Sequence, residues 1–187
     1  SPYDMVYSEI YGMNQVSVQD VLHILEKNGV TVEQVIQLPY IRDDVFNYLP
    51  VTEINRDFGC DYQIQEGEFL NLFQYNLEDG YEHNIQPVST VTISGDRKLQ
   101  SVGTDVKILF NQNPTFADKT LIINDSDFEK LSADITGSAG IANLFQFQNW
   151  EDSYAGVCEV KEYLQESNQL NEDEQTYYEL SSKVEKY

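Results

Sequence analysis

The sequence predicts an α+β domain, a mixed β-sheet with packed helices that opens strand–helix–strand and closes on a long C-terminal helix. Three observations carry that expectation. Apolar residues recur at helical spacing in some stretches (Val18, Val21, Leu22, Leu25), whereas Val88 to Ser94 alternates apolar and polar as a half-buried strand does. Cap and turn residues then punctuate these runs, as at Ser17, Asn28-Gly29 and Gly95-Asp96. Finally, 187 residues with 41% hydrophobic and 12% aromatic content are enough to enclose a real core and too apolar for disorder.

The elements follow in order. Tyr3 to Ser8 reads as the first strand. Ser17 and Asp20 resemble a capping box for the first helix, which Asn28-Gly29 ends because glycine accepts the left-handed conformation of a helix C-terminus. Val30 to Leu38, rich in β-branched residues, is the returning strand. Pro39 to Asp61 reads as irregular, with Asp43-Asp44 and Pro50 as breakers. Tyr62 to Gln65 is expected as a short strand, and Glu66 to Asn76 as a helix burying Phe69, Leu70 and Phe73, closed by Gly80. Val88 to Ser94, Leu99 to Gly103 and Val106 to Phe110 are expected as antiparallel neighbours, followed by a turn at Asn111 to Pro114. Thr120 to Ile123 is an apolar strand, and Asn124 to Asp127 supply cap chemistry for a helix carrying Phe128 and Leu131. Gly137 to Gly140 reads as a loop, Ile141 to Trp150 as a strand and Val157 to Glu166 as a short helix. Asn171 caps the last helix, with Glu172, Asp173 and Glu174 in its first turn and Lys183 and Lys186 in its last, which complements the helix dipole. Tyr177, Leu180, Val184 and Tyr187 form its apolar stripe. One domain is expected over 1–187, divisible into sub-lobes 1–60 plus 150–187, and 61–149.

Charge excludes some partners. With 32 acids against 11 Lys and Arg, the net charge is −21, the wrong sign for nucleic acid or an anionic lipid surface. No apolar run reaches the roughly 18 residues of a membrane span, and Ser1-Pro2-Tyr3-Asp4 opens without the basic and apolar regions of a signal peptide.

Catalytic and metal chemistry finds little footing. His23 and His83 each stand alone, no nucleophile elbow is present, and Cys60 and Cys158 lack metal-ligand spacing. The two cysteines are either free thiols or one long-range disulfide. Asp125, Asp127 and Glu129 echo a calcium loop, but Lys130 stands where its glycine belongs, and a helix cap explains them better. Gly137 to Gly140 lacks the lysine of a phosphate cradle. The expectation is no enzyme and no cofactor.

The acidic excess is the most informative remainder. From Glu151 to Tyr187 ten acids face three lysines. A solvated face is the ordinary reading, and electrostatic capture of a cationic peptide is the functional one. Asp43, Asp44, Glu172, Asp173 and Glu174 are the candidate contacts, with tyrosines giving contact area at low entropic cost.

The strand–helix–strand of Tyr3 to Leu38, the unit Thr120-Leu121-Ile122-Ile123-Asn124-Asp125-Ser126-Asp127-Phe128-Glu129-Lys130-Leu131 and the ending Tyr177 to Tyr187 resemble one family. This is the large extracellular domain of BceB-type (bacitracin-resistance) ABC transporter permeases, within the wider FtsX/MacB-like group. The helix expected at Glu66 to Asn76 is similar to a family helix through Glu68-Phe69-Leu70-Asn71-Leu72. The resemblance implies a sensing or substrate-binding domain facing the extracellular side of a Gram-positive-type cell membrane. It also implies that the last helix leads toward a membrane segment. Partners would be a cationic peptide antibiotic or its lipid complex, a membrane histidine kinase and cytoplasmic ATPase subunits that hydrolyse ATP. The competing expectation is a free-standing secreted or surface-exposed binding module, adhesin-like, with no transporter.

Overall fold

The computed structural model describes residues 3–9, 16–73, 87–107, 109, 119–134, 139–170 and 178–184. Among them the architecture is α+β. The strands are β1 (Met5–Glu9), β2 (Val32–Arg42), β3 (Asn47–Pro50), β4 (Glu68–Phe73), β5 (Thr90–Ile93), β6 (Arg97–Val106), β7 (Thr120–Ile123), β8 (Ala139–Phe147) and β9 (Tyr178–Ser182). The helices are α1 (Val18–Lys27), α2 (Val51–Phe58), α3 (Asp125–Asp134) and α4 (Tyr154–Leu170), with a 3-10 turn at Trp150–Asp152. All nine strands join one mixed sheet in the order β5-β6-β4-β7-β3-β2-β8-β1-β9.

The pairing pattern explains where the helices lie. β3 is parallel to β7 and β4 to β6, and the other pairs are antiparallel. It follows that α1 joins the parallel strands β1 and β2, α3 joins β7 and β8, and α4 joins β8 and β9. The first crossover moves one way along the sheet and the other two move the opposite way, on strands of opposite sense. These reversals cancel, so a common right-handed crossover puts all three helices on one face. Burial agrees. Met5, Tyr7, Phe145 and Phe147 pack with Val21, Leu25, Val157 and Val160 under α1 and α4. On the same face Ile41, Tyr48, Phe69 and Leu121 pack with Leu131 of α3. The α2 segment joins antiparallel strands, escapes the rule and covers the other face, where Val51 and Ile54 meet Val6, Leu38, Leu49, Leu70 and Leu144.

Close packing fixes the first of these layers. A Cβ added to Gly156 of α4 would lie 3.0 Å from Val30 Cγ2 and 3.4 Å from Asn28 Cβ and Leu25 Cδ2. The glycine therefore lets α4 approach the end of α1. Lys27 with Glu159, at 2.7 Å, and the Tyr163 hydroxyl on Asp20, at 3.1 Å, join the same two helices at the surface. Asp20 is thereby diverted from the expected capping box, although Ser17 Oγ still caps the Gln19 amide at 3.1 Å.

Several expected elements differ. The stretch 39–61 is ordered, because β2 continues through Pro39 to Arg42 and is followed by β3 and α2. Tyr62 to Gln65 forms no strand. The described part of the expected Glu66 to Asn76 helix holds β4 instead, with Phe69 buried on one face and Leu70 and Leu72 on the other. A helix buries one stripe, whereas a central strand buries both faces, and β4 lies between β6 and β7. Its Asn71 is buried because the side chain bonds the Val88 backbone, at 2.9 and 3.1 Å, and Ser101 Oγ, at 3.1 Å. Leu99 to Gly103 belongs to one strand that runs on to Val106, parallel to β4. Ala139-Gly140 begins β8, and α4 starts at Tyr154 rather than Val157.

The long C-terminal helix is also corrected. Residues 178–182 form β9, which covers the edge of β1 with Met5 opposite Ser182 and Glu9 opposite Tyr178. An uncovered β1 would expose a row of unpaired backbone groups, which outweighs the weak helical preference of this segment. Leu180 and Val184 pack on the α1–α4 cluster. Gly80, His83, Asn111 to Pro114, Gly137, Ser138, Asn171 to Tyr177 and Tyr187 lie outside the described residues.

Candidate functional site

Asp43 and Asp44 form the turn between β2 and β3, in loop backbone as expected. Their roles separate at once. Asp43 Oδ1 accepts the amides of Val45 and Phe46 at 2.8 and 2.7 Å, and its Oδ2 accepts the Tyr48 hydroxyl at 2.7 Å. Both oxygens are committed to building the hairpin. Burial, then the bond to Asp43, pushes the Tyr48 hydroxyl well above the ordinary tyrosine range. Asp44 is exposed and makes no side-chain hydrogen bond or ion pair among the described residues, so of this pair it is the one open to a cationic ligand. Glu172, Asp173 and Glu174 lie outside the described residues.

A group of reactive side chains sits elsewhere, where the end of α2 meets the end of β6. Gly59 ends α2 in the left-handed conformation, and Cys60 follows it. Lys107 Nζ donates to the Phe58 carbonyl at 3.3 Å and contacts Cys60 Sγ at 3.2 Å. A cation at the carbonyl end of a helix meets unsatisfied acceptors and the negative pole of the dipole. Beside it the Tyr62 hydroxyl donates to Asp105 Oδ2 at 2.5 Å. Burial, then that bond, raises the Tyr62 hydroxyl far above the usual range. Tyr3 packs edge-on against Phe58 with ring centroids 5.8 Å apart, and burial followed by the charge of Asp57 raises its hydroxyl too.

Cys60 and Cys158 are free thiols and not a disulfide. Cys60 packs with the α2 cluster, and Cys158 rides on α4 across the sheet. The sheet itself separates them, which residue spacing could not reveal. Sequence reasoning also missed Tyr62, Asp105 and Lys107. The only available signal was weak: Asp105 and Lys107 are two apart, hence on one side of an extended chain.

The other buried acids are structural. Asp4 Oδ2 accepts the Phe147 amide at 2.6 Å, and its Oδ1 meets Lys183 Nζ at 3.0 Å. Asp127, fully buried in α3, accepts the Gly67 amide at 2.8 Å and lies 2.6 Å from Arg97 Nη2. Asp125 Oδ1 accepts the Thr52 amide at 3.1 Å. Cap and clamp roles thus account for Asp125 and Asp127. Among the described residues no three His, Cys, Asp or Glu side chains converge as metal ligands, and no helix is long and apolar enough to cross a membrane.

No family model matches the chain, and no curated protein does. Among solved structures the chain is similar to a provisionally named lipoprotein of Bacillus anthracis, with a TM-score of 0.48 and 10% identity over 83% of this chain and 91% of that one.

Proposed function

We propose that this chain is an extracellular binding domain of a membrane protein, a BceB-type peptide-antibiotic permease, which captures cationic peptide and performs no chemistry of its own. The observation that carries the reading is the clasp between the two ends of the fold. Met5 pairs with Ser182, the Lys183 amide donates to the Asp4 carbonyl at 2.9 Å, and the Asp4 carboxylate holds Lys183. A domain inserted between two membrane helices needs both connections on one side, and this pairing supports that placement. The net charge of −21 supports a cationic ligand, which an acidic surface draws in and pre-orients. Reception of the peptide here would be passed through the permease to its ATPase subunits and a membrane kinase.

Titration of the domain with a Lys/Arg-rich peptide antibiotic tests the reading. Binding should weaken steeply as ionic strength rises from about 0.01 to 0.15 M, where the screening length falls from about 30 to 8 Å. Asp44→Asn should weaken binding by up to about fivefold, the worth of one exposed ion pair. Asp43 is unsuited to this test because its replacement would disturb the hairpin. Binding indifferent to salt refutes electrostatic capture. The host is tested separately. An apolar, membrane-length segment directly after Tyr187 in the parent gene is expected, and a polar continuation would favour a free-standing surface module.

A further inference from the structure

We propose that Cys60 and Lys107 are a modification site, where oxidation joins Sγ to Nζ through a single oxygen atom as a reversible N–O–S cross-link. The pair is 47 residues apart in sequence, yet its nitrogen and sulfur are already in contact at 3.2 Å. Neither side chain is there by chance of a flexible tip. Lys107 is anchored by the Phe58 carbonyl at the end of α2, and Cys60 is placed by the turn at Gly59, with its sulfur 3.8 Å from the same carbonyl. Both are half-buried, so solvent and small solutes reach the pair. Cys158 lies across the sheet, so it cannot pair with an oxidised Cys60, whereas the Lys107 amine is in contact with that sulfur.

The chemistry balances with hydrogen peroxide as oxidant. One equivalent takes two electrons from the thiol and gives a sulfenic acid and water. A second takes two electrons from the Lys107 amine, whose ammonium proton passes to water first, and gives a hydroxylamine and water. Condensation of the two loses a third water and leaves one oxygen between Nζ and Sγ. Two equivalents of a dithiol return the four electrons, restoring thiol and amine and releasing the oxygen as water. The cross-link would pin the end of α2 to the end of β6, independently of what the domain binds.

The experiment uses the whole chain in a Cys158→Ser background, treated with hydrogen peroxide and read by intact mass and by non-reducing peptide mapping. The expected product is about 14 Da heavier, one oxygen gained and two hydrogens lost, in contrast to the whole oxygens added along the ordinary thiol ladder. Peptides carrying residues 60 and 107 should be joined, and dithiothreitol should release them. Lys107→Arg keeps a cation at the helix end but should abolish the product and leave Cys60 to gain whole oxygens. The joined peptide in the parent decides the matter should that variant fold poorly. Addition of whole oxygens to Cys60 in the parent, with no joined peptide, overturns the proposal. So does the same product in Lys107→Arg as in the parent.

Discussion

Gly156→Ala should destabilise the domain although alanine is the better helix former. Gly156 is the third residue of α4, so the propensity gain is at most about 1 kcal/mol. Against it stands a Cβ placed 3.0 Å from Val30 Cγ2, closer than such contacts normally come. Val30 has little room to yield. It is β-branched and 6% exposed, and its amide is held by the Leu25 carbonyl at 2.9 Å. Overpacking of this kind costs about 1–3 kcal/mol, so the net loss should be about 1 kcal/mol. The decisive measurement is a cycle of urea denaturations with Val30→Ala. That change alone should cost roughly 2 kcal/mol of lost burial. In its background the contacts left for the new Cβ are at 3.4 Å, so Gly156→Ala should become neutral or stabilising. The sign should invert, with a coupling of about 1–2 kcal/mol. Equal effects of Gly156→Ala in both backgrounds would refute the close-approach argument.

Two further outcomes can be checked by denaturation. Asp4→Ala should cost about 2–4 kcal/mol, since it leaves the Phe147 amide without its acceptor and Lys183 without its partner; Asp4→Asn, which keeps an acceptor, should cost less. Glu53 carries a raised pKa, through burial first and then the charges of Asp57 and Asp125, against a lowering by Arg56. A carboxyl raised in the folded state contributes stability below its unfolded pKa and loses it as pH rises through the folded one. Glu53→Gln should therefore raise the urea midpoint at pH 7, and that gain should vanish below about pH 4. An unchanged gain across that range would contradict the assignment.

Much of the fold was legible because local chemistry and tertiary need agreed. Ser17 before a 3.6-residue stripe gave α1, Asn124 gave the start of α3, and Gly95-Asp96 gave the β5–β6 turn. Legibility failed where burial overrode local signals. Phe69, Leu70, Leu72 and Phe73 fit a helix face as readily as a strand buried on both sides, and only the neighbours β6 and β7 decide between them. Tyr178–Ser182 became a strand because β1 offered an edge, although Met5 and its partner Ser182 lie at opposite ends of the chain's order. The candidate site followed the same rule. Asp43-Asp44 is recognisable as a turn, but whether a carboxylate faces solvent or its own backbone is settled by Tyr48, Val45 and Phe46. The Cys60–Lys107 contact joins two segments that carry no shared local pattern, so sequence reading has no means of pairing them.

The clasp between β1 and β9 also decides how the molecule responds to tension. These strands are antiparallel neighbours, and the start of one lies beside the end of the other. A pull that separates the two ends therefore loads their hydrogen bonds one after another, beginning at Met5 and Ser182, instead of shearing the whole row together. The first groups under load are Asp4 and Lys183, whose backbone bond and ion pair sit at the mouth of this zipper. Such a joint yields at low force and peels β9 away while β2, β3, β7 and β4 remain paired at the centre of the sheet. Lateral separation of whatever holds the two ends would thus be felt first by Leu180 and Val184, and through them by the packing beneath α1 and α4.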